Sequence, residues 1–190
     1  LQFMKLYSCI FKKNDALYDY LTKKGFKAEF LEKAGLISSR TDGKGYYDKF
    51  RGRIIVPVYN EKGDVVAFGA RIFKSENGPK YLNSQETLVY NKSKTLYGLY
   101  QAKDFIREKD AVLIMEGYFD VITAHANGVR NAVASCGTSL TEQHVKILNR
   151  YMNKKRIYLA YDADEAGQKA TKRNAQLIKD EFSSLGDIKQ

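Results

Sequence analysis

The chain of 190 residues, 44% apolar and 13% aromatic, holds enough material for one or two domains with a hydrophobic core. Its 32 Lys and Arg exceed its 22 Asp and Glu for a net charge of +10, which favours a polyanionic partner and above all nucleic acid. No apolar stretch approaches a membrane span, and neither a signal peptide nor a long basic amphipathic helix is visible, which argues against a membrane protein.

In chain order, residues 1–11 and 15–24 read as helices, the second capped by Asn14 or Asp15 and ended by Gly25. A short helix follows over 27–34, then a polar, glycine-bearing loop over 38–45. Residues 53–59 and 65–73 are rich in β-branched and aromatic side chains and predict a hairpin around Asn60–Asp64, with Pro57 placing its strand at an edge or bulge. Residues 74–98 read as an irregular basic connector, and a helix is expected over 99–108. From 111 the pattern becomes regular. Strands are predicted at 111–115, 131–135 and 155–161, and helices at 118–127, 140–152 and 165–182. Alternation at this spacing implies parallel strands with crossover helices. The fold class is therefore α/β, with a mixed α+β part over 1–110, a mainly parallel part over 111–190 and a boundary near Asp110. Residues 1–110 hold a net charge of +8 and residues 111–190 a net of +2, so the first part reads as a polyanion cradle. The start at Leu1 suggests an excised piece of a longer chain.

Cys9 and Cys136 are far apart, and His125 and His144 offer no zinc spacing beside them. Both cysteines read as reduced thiols of a cytoplasmic protein, and both histidines as structural or exposed. Gly137-Thr138-Ser139 follows a strand and precedes a helix, which suits either a backbone phosphate contact or a plain helix cap at Thr138 or Ser139.

Two apolar runs stop abruptly at carboxylates, Leu113–Met115 at Glu116-Gly117 and Ile157–Tyr161 at Asp162-Ala163-Asp164. Ligands of open α/β sheets bind at the carboxyl ends of such strands. Asp120 lies one helical turn beyond Glu116, and Asp162 and Asp164, two apart at a strand end, share a face from which both can reach one cation. Hard oxygen donors of this kind suit Mg²⁺ or Mn²⁺ and, through the cation, phosphates.

These motifs carry a resemblance. Glu116-Gly117-Tyr118-Phe119-Asp120-Val121 with Asp162-Ala163-Asp164-Glu165-Ala166-Gly167 is similar to the Toprim domain shared by DnaG-type primases, topoisomerases and some nucleases. Phe50–Pro57, Phe68–Arg71, Pro79–Ser84, Leu96–Leu99 and Ala134–Thr138 resemble the basic subdomain and Toprim connection of bacterial DnaG-type primases. The resemblance implies a nucleotidyltransferase, a DNA-directed RNA polymerase that makes short primers on single-stranded DNA in the replicating primosome. It implies catalytic roles for Glu116, Asp162, Asp164 and Asp120, with metal bound by Glu116, Asp162 and Asp164. It implies ribonucleoside triphosphates, a template strand and an RNA–DNA hybrid as partners, and a replicative helicase reached through a region outside this chain. A further acidic cluster of that family follows the strand after the long helix; the sequence stops at Gly186–Gln190, and Asp187 does not match the cluster.

The cations expected to meet nucleic acid or nucleotide are Lys49, Arg51, Arg53, Arg71, Lys80 and Lys92, with Tyr81 a stacking ring beside Lys80. The resemblance implies that Lys80, Tyr81, Asn83 and Lys92 line the template and nucleotide groove. Arg51 and Arg53 are expected to share a strand face. Tyr46, Tyr47, Tyr97 and Tyr100 read as packing residues. The alternatives are another Toprim enzyme, such as a nuclease or part of a topoisomerase, and an inactive nucleic-acid-binding fragment.

Overall fold

The computed structural model describes residues 15–73, 78–135, 137–154 and 156–186, with 184–186 described by their backbone alone. The helix expected over 1–11, and Asn14, Cys9, Cys136 and Asp187, lie outside the described residues. The fold is mixed α/β, with two compact units by internal contacts. One comprises residues up to Val58 with Val66–Tyr90, and the other Tyr59–Val65 with the chain from Asn91.

In the first unit, α1 (Ala16–Lys23) and α2 (Ala28–Lys33) precede β1 (Ile37–Ser39), which pairs antiparallel with β2 (Tyr46–Asp48). Sequence alone places a loop over 38–45; three-residue strands are too short to show alternation, and pairing of Ile37 with Asp48 decides the hairpin. Asp15 makes no side-chain cap on α1. The buried Asp48 takes that role instead, accepting the Leu17 and Tyr18 N–H groups at 2.7 and 2.9 Å. A carboxylate brought from β2 thus satisfies donors left open at the start of the helix.

The strands β3 (Arg53–Tyr59), β4 (Val65–Ile72) and β5 (Tyr81–Asn83) form a sheet in the order β3-β4-β5. Pro57 therefore lies on an edge strand, where its missing N–H is harmless. β5 falls within the expected connector and arises from pairing of Gly69 with Asn83 and Arg71 with Tyr81.

The hairpin turn, Tyr59–Val65, belongs to the second unit. Its Glu61 accepts hydrogen bonds from Tyr151 Oη and, at 2.7 Å, from Arg150 Nη2, while Lys103 Nζ donates to the Glu61 carbonyl at 3.1 Å. Burial, with the Glu61 contact, pushes the Tyr151 phenol up to about 12.

The second unit continues through α3 (Leu99–Lys109), β6 (Ala111–Met115), α4 (Tyr118–Ala126), β7 (Ala132–Ala134), α5 (Glu142–Asn149), β8 (Arg156–Ala160) and α6 (Glu165–Gly186). The sheet order is β7-β6-β8, all parallel, with Val133 opposite Ile114 and Leu159 on its other side. Asp110 adopts a left-handed turn (φ 49°) between α3 and β6, and its carboxylate accepts the Asn153 and Lys154 N–H groups. The core gathers Ile106, Val112, Ile114, Val133, Val145 and Leu148, all fully buried.

Because Ile114 is fully buried at the centre of the sheet while Tyr158 on β8 is 54% exposed, the two should respond differently to truncation. Ile114→Ala is expected to lower unfolding free energy by about 2–5 kcal/mol and Tyr158→Ala by about 0.5 kcal/mol or less, measured by urea denaturation.

Candidate active site

Parallel pairing of β6 with β8 brings the two acidic motifs together. Met115 lies opposite Ala160, so the chain leaving each strand emerges beside the other. There Glu116 Oε1 accepts the Asp162 N–H at 3.1 Å. Gly117 caps α4 from just before its first residue, and Asp120 in the first turn accepts the Gly117 N–H at 2.9 Å through Oδ2. A carboxylate at that position also suits the positive end of the helix.

β8 ends at Ala160, so Asp162 and Asp164 stand on a loop rather than on one strand face. Asp164 Oδ1 accepts the Gly167 N–H at 2.8 Å, which makes Asp164 the cap of α6. Gly167 is needed there for space: a Cβ would sit 2.0 Å from the Asp162 carbonyl oxygen. The first turn of α6 thus rests directly on the backbone of Asp162.

Among the described residues, none of Glu116, Asp120, Asp162 and Asp164 forms an ion pair with Lys or Arg, despite the chain's basic surplus. Their oxygen chemistry fits a hard divalent cation. Within the same residues, no three acidic, histidine or cysteine side chains gather closely enough to hold a metal ion. Behind the loop, Tyr161 Oη accepts from Asn174 Nδ2 at 2.8 Å; burial pushes the phenol above its usual range, Asn174 opposes the rise and the Glu116 charge adds to it.

The first unit holds a basic cleft of about 280 Å³ lined by Tyr47, Lys49, Arg51, Arg53, Pro79 and Leu82, among others. Lys49 Nζ donates to Gln85 Oε1 at 3.2 Å. Arg51 does not share a strand face with Arg53: the chain turns at Gly52 (φ 66°), and β3 begins at Arg53. Arg51 instead lies over the Tyr47 ring at 4.6 Å and donates to the Asp48 carbonyl, so Tyr47 belongs to the cleft. Arg53 is buried and donates to the Pro79 carbonyl at 2.8 Å. The Arg71 guanidinium on β4 and the ammonium of Lys80, just before β5, each lie 5.7 Å from the centre of the Tyr81 ring, a cationic aromatic platform. Asn83 stands opposite Gly69 in the same ladder.

Lys92 lies in the second unit, in a 3-10 turn over Lys92–Lys94. The cap of α5 is Thr141, not Thr138 or Ser139: its hydroxyl accepts the His144 N–H at 3.2 Å. Thr138 Oγ1 donates to the Ser135 carbonyl, and Ser135 Oγ donates to the Thr138 carbonyl. His125 Nε2 bonds the Ala132 carbonyl at 2.9 Å, a structural role. The position of Thr141 three residues before His144 is the sequence signal that could have located the cap.

Two family descriptions match the chain: "DNA primase catalytic core, N-terminal domain" over residues 2–103, and "Toprim-like" over residues 113–185. The chain belongs to the DNA primase catalytic core family. A DNA primase of Synechococcus elongatus is 46% identical over 160 residues, which cover 84% of this chain and 23% of that protein. A DNA primase of Listeria monocytogenes is 43% identical over 159 residues, 84% of this chain and 25% of that protein. The chain thus spans about a quarter of the length of these primases. The fold is similar to the zinc-binding and RNA polymerase domains of Aquifex aeolicus primase, with a TM-score of 0.79 and 35% identity, covering 87% of this chain and 40% of that one. It is also similar to a DnaG primase catalytic domain bound to single-stranded DNA, with a TM-score of 0.74 and 35% identity, covering 87% and 50% of the two chains.

In this primase-family sheet, Gly167→Ala must move either α6 or the Asp162 backbone. The substitution is expected to lower stability by about 1–3 kcal/mol, read from thermal unfolding; an unchanged midpoint would show that the packing yields without strain.

Proposed function

We propose that the chain is part of the catalytic core of a primase, a DNA-directed RNA polymerase that makes short RNA on single-stranded DNA during replication. The observation that carries this reading is the Glu116–Asp162 contact, which joins the two acidic motifs at the carboxyl edge of a parallel sheet in a primase-family chain. The family matches over 2–103 and 113–185 support a functional division near Asp110.

Glu116, Asp162 and Asp164, which would have to draw closer together than they stand in this structure, are the residues that would hold Mg²⁺ or Mn²⁺, with Asp120 in support. Bound there, such cations would neutralise an incoming triphosphate and lower the pKa of the primer 3′-hydroxyl. The chain's own contribution is positional. Glu116 holds the Asp162 loop through its N–H, and Asp164 is anchored to the start of α6. Carboxylates without a Lys or Arg partner among the described residues remain available to a metal ion.

On the other unit, Lys49, Arg51 and Arg53 in the cleft and Arg71, Lys80, Tyr81 and Asn83 on and beside β4 and β5 are proposed to bind template or nucleotide. Cations beside an aromatic face suit a single strand, whose bases are free to stack while its phosphates are neutralised. Lys92 is proposed as a further phosphate contact. The partners of the whole protein would be single-stranded DNA, ribonucleoside triphosphates, an RNA–DNA hybrid and, through another region, the replicative helicase. No helix among the described residues is long and apolar enough to cross a membrane, and we assign the protein to the cytoplasm on its proposed role in replication.

In the full-length protein, Asp162→Ala and Asp164→Ala are each expected to abolish primer synthesis in Mg²⁺ or Mn²⁺ while leaving the far-ultraviolet circular dichroism spectrum unchanged. Retained synthesis would overturn the assignment of these carboxylates. Arg71→Ala and Lys80→Ala are each expected to weaken single-stranded DNA binding and to reduce the slope of log affinity against log salt by about 0.7 for each phosphate that is no longer neutralised. Fluorescence anisotropy over a salt series measures both quantities.

A further inference from the structure

His144 is fully buried, yet its polar atoms are all committed to one short segment and its own helix cap. Its Nδ1 accepts the Thr141 N–H at 3.3 Å. That bond assigns the proton to Nε2, which then donates to the Lys92 carbonyl at 2.9 Å. Thr141 reaches the same segment, its Oγ1 donating to the Ser93 carbonyl at 2.7 Å. Two consecutive carbonyls of the 3-10 turn are therefore held from the first turn of α5. Asn91 restrains the turn from its other end, accepting the Ser93 N–H at 2.9 Å.

A buried histidine that only filled space would not need this pattern. The carbonyls at the end of a short helical turn need donors, and an imidazole fixed by its own helix cap supplies one from a defined point. Burial pushes the ring below the ordinary histidine range, the bonds to the Lys92 and Thr95 backbone opposing that fall. The neutral ring keeps one donor and one acceptor, which is what the two bonds require.

We propose that His144, supported by Thr141, is a positioning residue for Lys92: it holds the Lys92 backbone at the place from which the ammonium meets a nucleic-acid phosphate. This rests on the reading of Lys92 as a phosphate contact. His144 touches no ligand itself, so its effect must pass through Lys92 and vanish when Lys92 is removed.

The test is a double-mutant cycle in the full-length protein, read by anisotropy of a labelled single-stranded DNA oligonucleotide across a salt series. Lys92→Ala should weaken binding and flatten the salt slope by about 0.7. His144→Phe keeps a ring but removes both bonds; it should weaken binding about 3- to 10-fold and flatten the slope toward that of Lys92→Ala. Added to Lys92→Ala, it should change affinity by less than about 2-fold. His144→Gln, whose amide nitrogen can replace Nε2, should recover most of the affinity, whereas His144→Asn, which reaches only the Nδ1 position, should not.

Equal effects of His144→Phe in both backgrounds, or equal recovery by Gln and Asn, would overturn the proposal while leaving Lys92 as a phosphate contact. An unchanged affinity and slope in Lys92→Ala would overturn the reading of Lys92 and the proposal with it. If circular dichroism shows that His144→Phe does not fold, the contrast between Gln and Asn in the two Lys92 backgrounds decides the question in the same way.

Discussion

The parallel pairing of β6 with β8 is the constraint on which the acidic site depends. It sets Met115 against Ala160 and so delivers Glu116 and Asp162, 46 positions apart in the chain, to one sheet edge. A register slip would displace the fully buried Val112 and Ile114 from their packed positions, which makes the pairing expensive to change. The buried Ile114 and Val112 on β6 and Val133 on β7 therefore determine the placement of the carboxylates as firmly as the acidic residues themselves.

The same logic recurs at smaller scale. Asp48 reaches from β2 to the first turn of α1; Asp164 and Gly167 join the acidic loop to α6; His144 and Thr141 reach from α5 to the Lys92 turn. Glu61 fastens the hairpin turn to the end of α5 through Arg150 and Tyr151. In each case a backbone or side-chain polar group at the end of an element is satisfied by a residue distant in sequence or by a close steric fit. Such contacts position short segments that have no regular ladder of their own.

The regular part of the chain was legible in its residues. β6 coincides with the predicted 111–115, α3 and α6 begin where expected, and the edge position of Pro57 follows from its chemistry. The departures lie where local pattern carries little information. β1, β2 and β5 have three residues each, and only pairing makes them strands. Arg51 left the expected strand face because Gly52 turns the chain, and Asp162 and Asp164 left theirs because β8 ends at Ala160. The exclusion of a Cβ at Gly167 depends on the path of Asp162, which the motif alone does not disclose.

By itself the sequence determined the α/β order, the basic balance, the two acidic motifs and their likeness to a family, because periodicity, charge and residue order are local properties. Tertiary structure decided which atoms answer one another: that Glu116 meets a backbone N–H of Asp162, that Arg53 donates to the Pro79 carbonyl, and that a buried imidazole holds the Lys92 turn. The physical reason is that hydrogen bonds and close packing act over a few ångströms, and only the folded chain brings residues separated by tens of positions within that reach.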